Sequence, residues 1–232
     1  MSEAMKLDKE FNDYDRIVTF DIETTHWKPE KGETVAIGVS HHESETPSST
    51  AQYETFARSN RTISDEQDLI TTAFRYIDEL DGDVLVSYNG IDFDMDFLAK
   101  RCARFDSAPS PPALQTSGQH VDLFTDRKAA CGAGEKWPSL EDCLNSYGYP
   151  IPKTIWNGAT LDNSRFGDEF GPAFLDVVAN GDERAINEYR EVLDHYLKTD
   201  LEANIALYYA DQGVSFDPVT FDVPGEFTTE LP

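Results

Sequence analysis

The chain has 232 residues, of which 39% are hydrophobic and 12% aromatic, so it can bury the core of one folded domain of ordinary size. No apolar run approaches the roughly 18–20 residues of a membrane span. The polar N-terminus lacks the apolar core of a signal peptide, so we expect a cytoplasmic protein that binds no membrane.

Acidic residues dominate the charged positions: 44 Asp and Glu stand against 19 Lys and Arg, a formal net charge of −25. Because the acids are dispersed along the chain, they indicate an acidic surface and not a single disordered tail. Such a surface repels itself in dilute buffer, and molar salt screens that repulsion because the Debye length falls to about 3 Å. The composition is typical of a protein from a halophile. The alternative is an acidic protein that mimics or avoids nucleic acid.

The first half of the chain predicts an initial group of strands, then a helix, a buried strand and a second helix. The strands are rich in β-branched and aromatic residues. The first helix has Ser64 as its predicted N-cap and acids in its first turn. The predicted strands span 15–25, 33–42, 51–57 and 83–90, and the predicted helices span 64–80 and 93–105.

The second half predicts mainly helices. A possible strand at 120–124 is followed by a short helix over 139–148, which ends at a glycine, and by a long helix over 182–211. Strands, then helices and strands in alternation, then helices are typical of an α/β fold with a mixed sheet. We expect one domain over 1–213 and an extended tail over 214–232.

Two carboxylates stand near the end of the first predicted strand, "DRIVTFDIETT". Strand alternation places Asp21 and Glu23 on one face, roughly 7 Å apart at the backbone. Two ionised carboxylates there repel each other and are costly to desolvate, and a bound cation removes that cost. The pair alone predicts a metal site about as well as it predicts a solvated strand end.

A second acidic group lies in "SYNGIDFDMDF", just after the buried strand. Asn89 turns the chain, and Asp92, Asp94 and Asp96 follow at the start of a helix. Acids at that position can simply complement the helix dipole, and this is sufficient for Asp92 and Asp96. Asp94 differs because it belongs to a combination of residues directly after the strand: an asparagine, and then a Phe-Asp pair of which Asp94 is the acid.

The third group lies on the long helix, in "LDHYLKTDLEAN". Tyr196 and Asp200 are four residues apart and share a face, whereas His195 and Asp200 are about 140° apart at 3.6 residues per turn. An apolar stripe that includes Leu193 and also Asn204 runs beside Tyr196 and Asp200. Asp200 is therefore predicted to lie on the buried side of the helix, where a carboxylate needs a partner.

Together these motifs resemble those of the DEDD superfamily of 3′–5′ exonucleases, the DnaQ-like branch of the ribonuclease-H-like fold. "FDIETT" resembles its D-x-E motif, "NGIDFD" its N-x-x-x-(F/Y)-D motif and "YLKTD" its Y-x-x-x-D motif. The likeness spans residues 17–208 and is strongest to the proofreading domains of family B DNA polymerases and their stand-alone archaeal relatives. It implies a central mixed β-sheet flanked by helices.

The resemblance also implies an activity: hydrolysis of DNA or RNA from a free 3′ end with two divalent metal ions, Mg²⁺ or Mn²⁺. It implies that one ion, bound by Asp21, Glu23 and Asp200, activates the attacking water. The other, bound by Asp21 and through water by Asp94, stabilises the leaving 3′ oxygen. Tyr196 would orient the attacking water. All-oxygen ligands suit these hard ions.

Further residues are expected near the nucleic acid. Trp27 could stack on a base, although packing within the hairpin is the simpler interpretation. The basic stretch "DRKAACGAGEKWPS", with Arg127, Lys128 and Lys136, either touches phosphates or forms a solvated loop, and we favour the loop. The residues that the resemblance assigns to nucleic-acid binding are Thr24, Thr25, Asn89 and Phe93.

Two alternatives stay open. In the histidine branch of the superfamily the third motif would use His195, which could act as a general base. The other alternative is a catalytically idle nucleic-acid-binding or scaffold module of the same fold, although all four acids are present. The charge of −25 gives no general attraction for phosphates, so binding must depend on metals, stacking and local basic groups.

Overall fold

A five-stranded mixed sheet forms the centre of the protein. The computed structural model describes residues 5–11, 13–46, 50–221 and 224–230. The strands are β1 (Arg16–Thr24), β2 (Thr34–Glu43), β3 (Gln52–Ala57), β4 (Val84–Ser87) and β5 (His120–Asp122). In the strand order β3-β2-β1-β4-β5, β1 is antiparallel to β2 and parallel to β4, and β5 is parallel to β4. The C-terminal ends of β1, β4 and β5 therefore meet at one edge.

Helices cover both faces of this sheet, which confirms the predicted α/β fold. Two π-helical segments, Gly90–Asp94 and Phe166–Phe170, run directly into the helices that begin at Met95 and Gly171. The helices are α1 (Ile63–Glu79), α2 (Met95–Cys102), α3 (Ala113–Thr116), α4 (Thr125–Ala130), α5 (Leu140–Tyr147), α6 (Asn163–Arg165), α7 (Gly171–Asn180) and α8 (Glu183–Ala210). None of the helices in the described ranges is both long enough and apolar enough to cross a membrane.

The two faces of β1 bury different clusters, as its alternation predicts. Val18, Phe20 and Ile22 lie in the core formed with α1 and α2. The opposite face carries Ile17 and packs against α8. Gly38 of β2 permits that packing, because a Cβ there would lie only 3.1 Å from side-chain carbons of α8. This close approach holds α8, and with it the third motif, against the strand that carries the first.

A small sheet lies beside the N-terminal half of α8. Its strands β6 (Thr154–Trp156), β7 (Ala159–Thr160) and β8 (Gly225–Phe227) have the order β7-β6-β8. The predicted tail over 214–232 thus contributes a strand, parallel to β6. Trp156 is 1% exposed, and its indole N–H donates to Thr229 Oγ1 at 2.8 Å. Strands of two or three residues have no readable periodicity, so the sequence did not predict this sheet.

The structure corrects several local predictions. The N-cap of α1 is Thr62, two residues before the predicted Ser64, and the Thr62 side chain accepts from the Asp65 N–H at 3.2 Å. Short helices α3 and α4 occupy stretches predicted as loop or left unassigned. α7 was missed because it is buried over most of its length and has little amphipathic pattern. The capping of α5 by Gly148, with φ of 89°, is confirmed.

Candidate active site

An open cleft of about 680 Å³ lies at the edge where β1 and β4 end. A second cavity of about 570 Å³ adjoins it, and both are lined by Glu141, Asn163 and Asp200. Tyr196 borders the second cavity. The cleft brings together the other eight residues that the sequence assigned to a site: Asp21, Glu23, Thr24, Thr25, Asn89, Phe93, Asp94 and Asp200.

Three of the four predicted acids converge most closely. Asp21 and Glu23 extend from one face of β1, and Asp200 extends from α8, which packs on that face. One carboxylate oxygen from each lies within 4.8 Å of the others. This is a spacing at which a single cation can contact all three, so the geometry fits a divalent metal with oxygen ligands.

Asp94 reaches the cleft from the π-helical segment after β4. Its side chain is 4% exposed. The turn into this segment is tight: Asn89 adopts a left-handed conformation with φ of 65°. A Cβ on Gly90 would lie 2.2 Å from the Ser87 hydroxyl and 3.3 Å from Asp94 Oδ2. Only glycine therefore fits next to Asp94 in this arrangement.

Asp122, which the sequence analysis did not single out, holds this turn in place. Its carboxylate accepts from the backbone N–H of Asn89 at 2.8 Å, of Ile91 at 3.1 Å and of Phe124 at 2.9 Å. It stands at the end of β5, next to the end of β4. The signal was available in "HVDLF", because an acid at the end of a parallel strand lies at the same edge as the end of its neighbour.

Burial and mutual repulsion disfavour the simultaneous ionisation of the four carboxylates in the cleft. Burial raises the pKa of Asp21 to about 7. Burial, and then the charges of Asp21, Asp200 and Asp94, raise the pKa of Glu23 well above its usual range. The pKa values of Asp94 and Asp200 are also raised, first by burial and then by Asp21. None of the ion pairs between described residues includes any of these four side chains.

The donor set therefore fits a hard divalent cation. Four carboxylates without a basic partner in the described part of the chain supply only oxygen ligands. A bound cation would offset both their mutual repulsion and their desolvation.

Tyr196 and His195 diverge in their surroundings. The Tyr196 hydroxyl donates to Asn163 Oδ1 at 2.7 Å, and its ring stacks on Phe166 with centroids 5.3 Å apart. Burial, followed by the charges of nearby carboxylates, raises its pKa well above 10. His195 instead packs against the small sheet, where its Nδ1 forms a 2.8 Å hydrogen bond with Thr154 Oγ1. Asn163 is a second residue that the sequence analysis missed, because α6 is a helix of only three residues.

Two exposed tryptophans stand near the cleft, each with a lysine over its ring. Trp27 lines the cleft and is 66% exposed, so the prediction that it packs within the hairpin is wrong. Lys28 Nζ lies 4.4 Å from the centre of its ring. Trp137 is 53% exposed and packs on the cleft residue Phe124, with Lys128 Nζ 5.0 Å from the ring centre.

The basic residues of the stretch that contains Trp137 lie in different environments. Arg127 is fully buried and pairs with Asp211, Nη2 to Oδ1 at 2.6 Å, so neither phosphate contact nor a solvated loop describes it. Lys128 pairs with Asp92 at 2.9 Å on the surface. Lys136 is exposed and borders the second cavity together with Lys153.

Comparison with known proteins identifies the family. Residues 18–160 match the RNase_H superfamily. Because the match covers more than half of the chain, the protein belongs to that superfamily, and its mixed sheet flanked by helices is a ribonuclease-H-like fold. No curated protein matches the sequence.

Solved structures share the fold at low identity. The family B DNA polymerase from the hyperthermophilic archaeon Pyrobaculum calidifontis is 19% identical with a TM-score of 0.53, and the alignment covers 92% of this chain and 27% of the polymerase chain. Exonuclease I of E. coli in complex with a 5cy-dT13 oligonucleotide is 15% identical with a TM-score of 0.39, covering 82% of this chain and 45% of that one. This chain thus spans less than half the length of either protein.

Proposed function

We propose that the protein is a metal-dependent 3′–5′ exonuclease of the tyrosine branch of the DEDD superfamily, acting on DNA or RNA. The observation that carries this proposal is the convergence of Asp21, Glu23 and Asp200 in one cleft with Asp94, without a basic partner in the described part of the chain. The order of the three motifs and the superfamily match are consistent with it.

Each acid has a role in this proposal. Asp21, Glu23 and Asp200 hold one divalent ion, Mg²⁺ or Mn²⁺, and Asp21 with Asp94 holds a second. When bound, the ions supply Lewis-acid activation of the attacking water and stabilisation of the leaving 3′ oxygen. Asp122 keeps Asp94 in position through the backbone of the turn after β4.

Tyr196 orients the attacking water and does not act as a base. With its pKa raised well above 10, the phenol stays protonated at neutral pH. Its proton is directed at Asn163 Oδ1, so the lone pairs of the phenol oxygen are free to accept a hydrogen bond from water. The packing of His195 against the small sheet disfavours the histidine branch, in which that side chain must reach the reacting water.

The substrate strand is held by cleft residues and by local basic groups. Thr24, Thr25, Asn89 and Phe93 contact the 3′-terminal nucleotide in this proposal. Trp27 with Lys28 and Trp137 with Lys128 combine a flat ring with a cation, a pairing that suits a base and its phosphate. Lys28 supplies locally an attraction for phosphate that a net charge of −25 denies globally, whereas Lys128 must exchange its pair with Asp92 for a phosphate.

Digestion of oligonucleotides tests the proposal. We expect 5′-labelled DNA or RNA to be shortened progressively with Mg²⁺ or Mn²⁺, in low and in molar KCl, and to stay intact with EDTA. A 3′-phosphorylated or otherwise blocked end should slow the reaction, which separates 3′–5′ from endonucleolytic cleavage. Intact substrate under every metal and salt condition, with the protein folded, would contradict the proposed activity and favour the catalytically idle module instead.

We also propose that the protein is adapted to high salt, because its charge of −25 is dispersed over the surface. Raising KCl from about 0.1 M to about 2 M shortens the Debye length and weakens the repulsion between surface carboxylates. The melting temperature should therefore rise over this range. A melting temperature that is constant or falls with KCl would remove the argument for a halophilic source.

A further inference from the structure

Asn204 lies on α8 one turn beyond Asp200, and it lines the same cleft. Residues four apart on a helix share a face, so the amide and the Asp200 carboxylate project toward the same side. The Asn204 side chain is 1% exposed, although asparagine is seldom fully buried.

The amide oxygen of Asn204 has no hydrogen-bond partner among the described residues. A buried acceptor left unsatisfied is costly, and such a group calls for a ligand, an ion or a functional role. Four other buried side-chain atoms share this condition: Thr34 Oγ1, His41 Nδ1, His42 Nδ1 and Arg127 Nε. None of those four residues lines the cleft, so Asn204 differs from them in lining the cavity that also holds the carboxylate cluster.

We propose that the Asn204 amide oxygen is a further ligand of the divalent-metal site. This inference rests on the metal binding that the proposed function requires. An amide oxygen is a hard, neutral donor that magnesium and manganese accept. It would add a ligand without adding a fifth negative charge to four carboxylates whose pKa values are already raised.

Metal binding by the full chain tests the assignment, with Mn²⁺ as the probe. Asn204→Leu keeps the branched shape of the side chain, although leucine is larger, and removes the oxygen. We expect calorimetry to show Mn²⁺ affinity reduced by about tenfold or more, while the melting temperature in EDTA is unchanged or raised. Asn204→Asp restores an oxygen and should bind Mn²⁺ more tightly than Asn204→Leu does. If Asn204→Leu folds poorly, the same comparison is made between Asn204→Ala and Asn204→Asp.

Thr34→Val is the matched control, because it also removes an unpartnered buried oxygen but one outside the cleft. Its Mn²⁺ affinity should equal that of the wild type. Wild-type Mn²⁺ affinity in both Asn204→Leu and Asn204→Ala would overturn the inference. If the wild type degrades oligonucleotides while those variants keep full Mn²⁺ affinity, only the inference fails. If the wild type binds Mn²⁺ through Asn204 but degrades no substrate, only the proposed exonuclease activity fails.

Discussion

Two sets of buried or half-buried acids lie in this one domain, and they differ in what neutralises their charge. In the cleft, Asp21, Glu23, Asp94 and Asp200 form no ion pair with a described lysine or arginine, and all four have raised pKa values. On the α1–α2 side of the sheet, Glu66 is 1% exposed and accepts from Arg101 Nε at 2.8 Å. The contrast separates a site that can accept an external cation from a network that is already complete.

The Glu66 network has a structural task close to the cleft. Arg101, bound to Glu66, also donates to the backbone oxygens of Pro29 at 2.9 Å and Gly32 at 2.6 Å. Glu66 in turn accepts from the Thr34 N–H at 2.8 Å. These bonds hold the turn between β1 and β2, which carries Trp27. Glu66, which is paired with Arg101, therefore helps to position the turn at the rim of the cleft, whereas the acids without an ion pair line the cleft itself.

The largest effect is expected for Asp21→Asn. This change replaces a charged carboxylate, proposed to bind both metal ions, with a neutral amide, so the rate of nucleotide release should fall on the order of a thousandfold or more. The melting temperature in EDTA should be unchanged or higher, because one repelling carboxylate is gone. A rate near that of the wild type, measured on labelled oligonucleotides with Mg²⁺, would show that the cleft acids do not bind a catalytic metal.

Glu66→Gln, in contrast to Asp21→Asn, should greatly lower the free energy of unfolding. It leaves the buried Arg101 guanidinium without its counter-charge, which costs about 3–5 kcal/mol of unfolding free energy. Urea denaturation measures this directly. Lys100→Ala is the matched control: its pair with Asp96 lies on the surface, Lys100 is 58% exposed, and the loss should stay within about 1 kcal/mol. Equal effects of the two changes would contradict the distinction between a buried ion pair and an exposed one.

Tyr196→Phe should have a smaller effect on the rate. It removes the hydroxyl that accepts from the attacking water, worth about 1.5–3 kcal/mol, or roughly tenfold to a hundredfold in turnover. Mn²⁺ affinity should be unchanged. His195→Gln is the control on the neighbouring position and should change turnover little. Loss of activity in His195→Gln together with normal turnover in Tyr196→Phe would assign the enzyme to the histidine branch.

A pH dependence of stability is also expected when no metal is bound. The pKa of Asp21 is raised from 3.8 to about 7 in the folded protein, so between these values the folded state holds a proton that the unfolded state has lost. The free energy of unfolding contributed by Asp21 therefore falls as pH rises through this window. Asp21→Asn has no carboxyl group at this position and does not show this fall. The free energy of unfolding of the variant minus that of the wild type should therefore increase from about pH 4 to about pH 7 in EDTA.

The comparison of variant with wild type is needed in that experiment because other groups titrate in the same window. Burial lowers the pKa values of His42 and His120 to about 4, so their contributions rise with pH up to about 6.5, where the unfolded histidines lose their protons. Both histidines are present in both proteins, so their effect cancels in the difference. A difference that does not change with pH would mean that Asp21 stays ionised when the protein is folded.

How much of the fold and of the candidate site could be predicted depends on the length of the sequence pattern that each part shows. The strands that carry Asp21 and precede Asp94, and the helix that carries Asp200, are long or strongly apolar, and all three were predicted. Asp122, Asn163 and the strand over Gly225–Phe227 were not, because each depends on a neighbour distant along the chain. Asn204 was predicted only to lie on the buried stripe, since its missing partner is a property of the packed site.

The sequence by itself determined the α/β class, the three motifs and their order, the dispersed acidity, and the choice of Tyr196 over His195 as the residue on the face of Asp200. These follow from strand alternation and from helical periodicity, which act within a few residues. Only the tertiary structure decided which acids stay unpaired. Glu66 and Glu23 are the same residue type and both are buried, but Arg101 reaches Glu66 across 35 residues of chain. The packing of α8 on β1, in contrast, gathers the cleft acids with no described arginine paired to them.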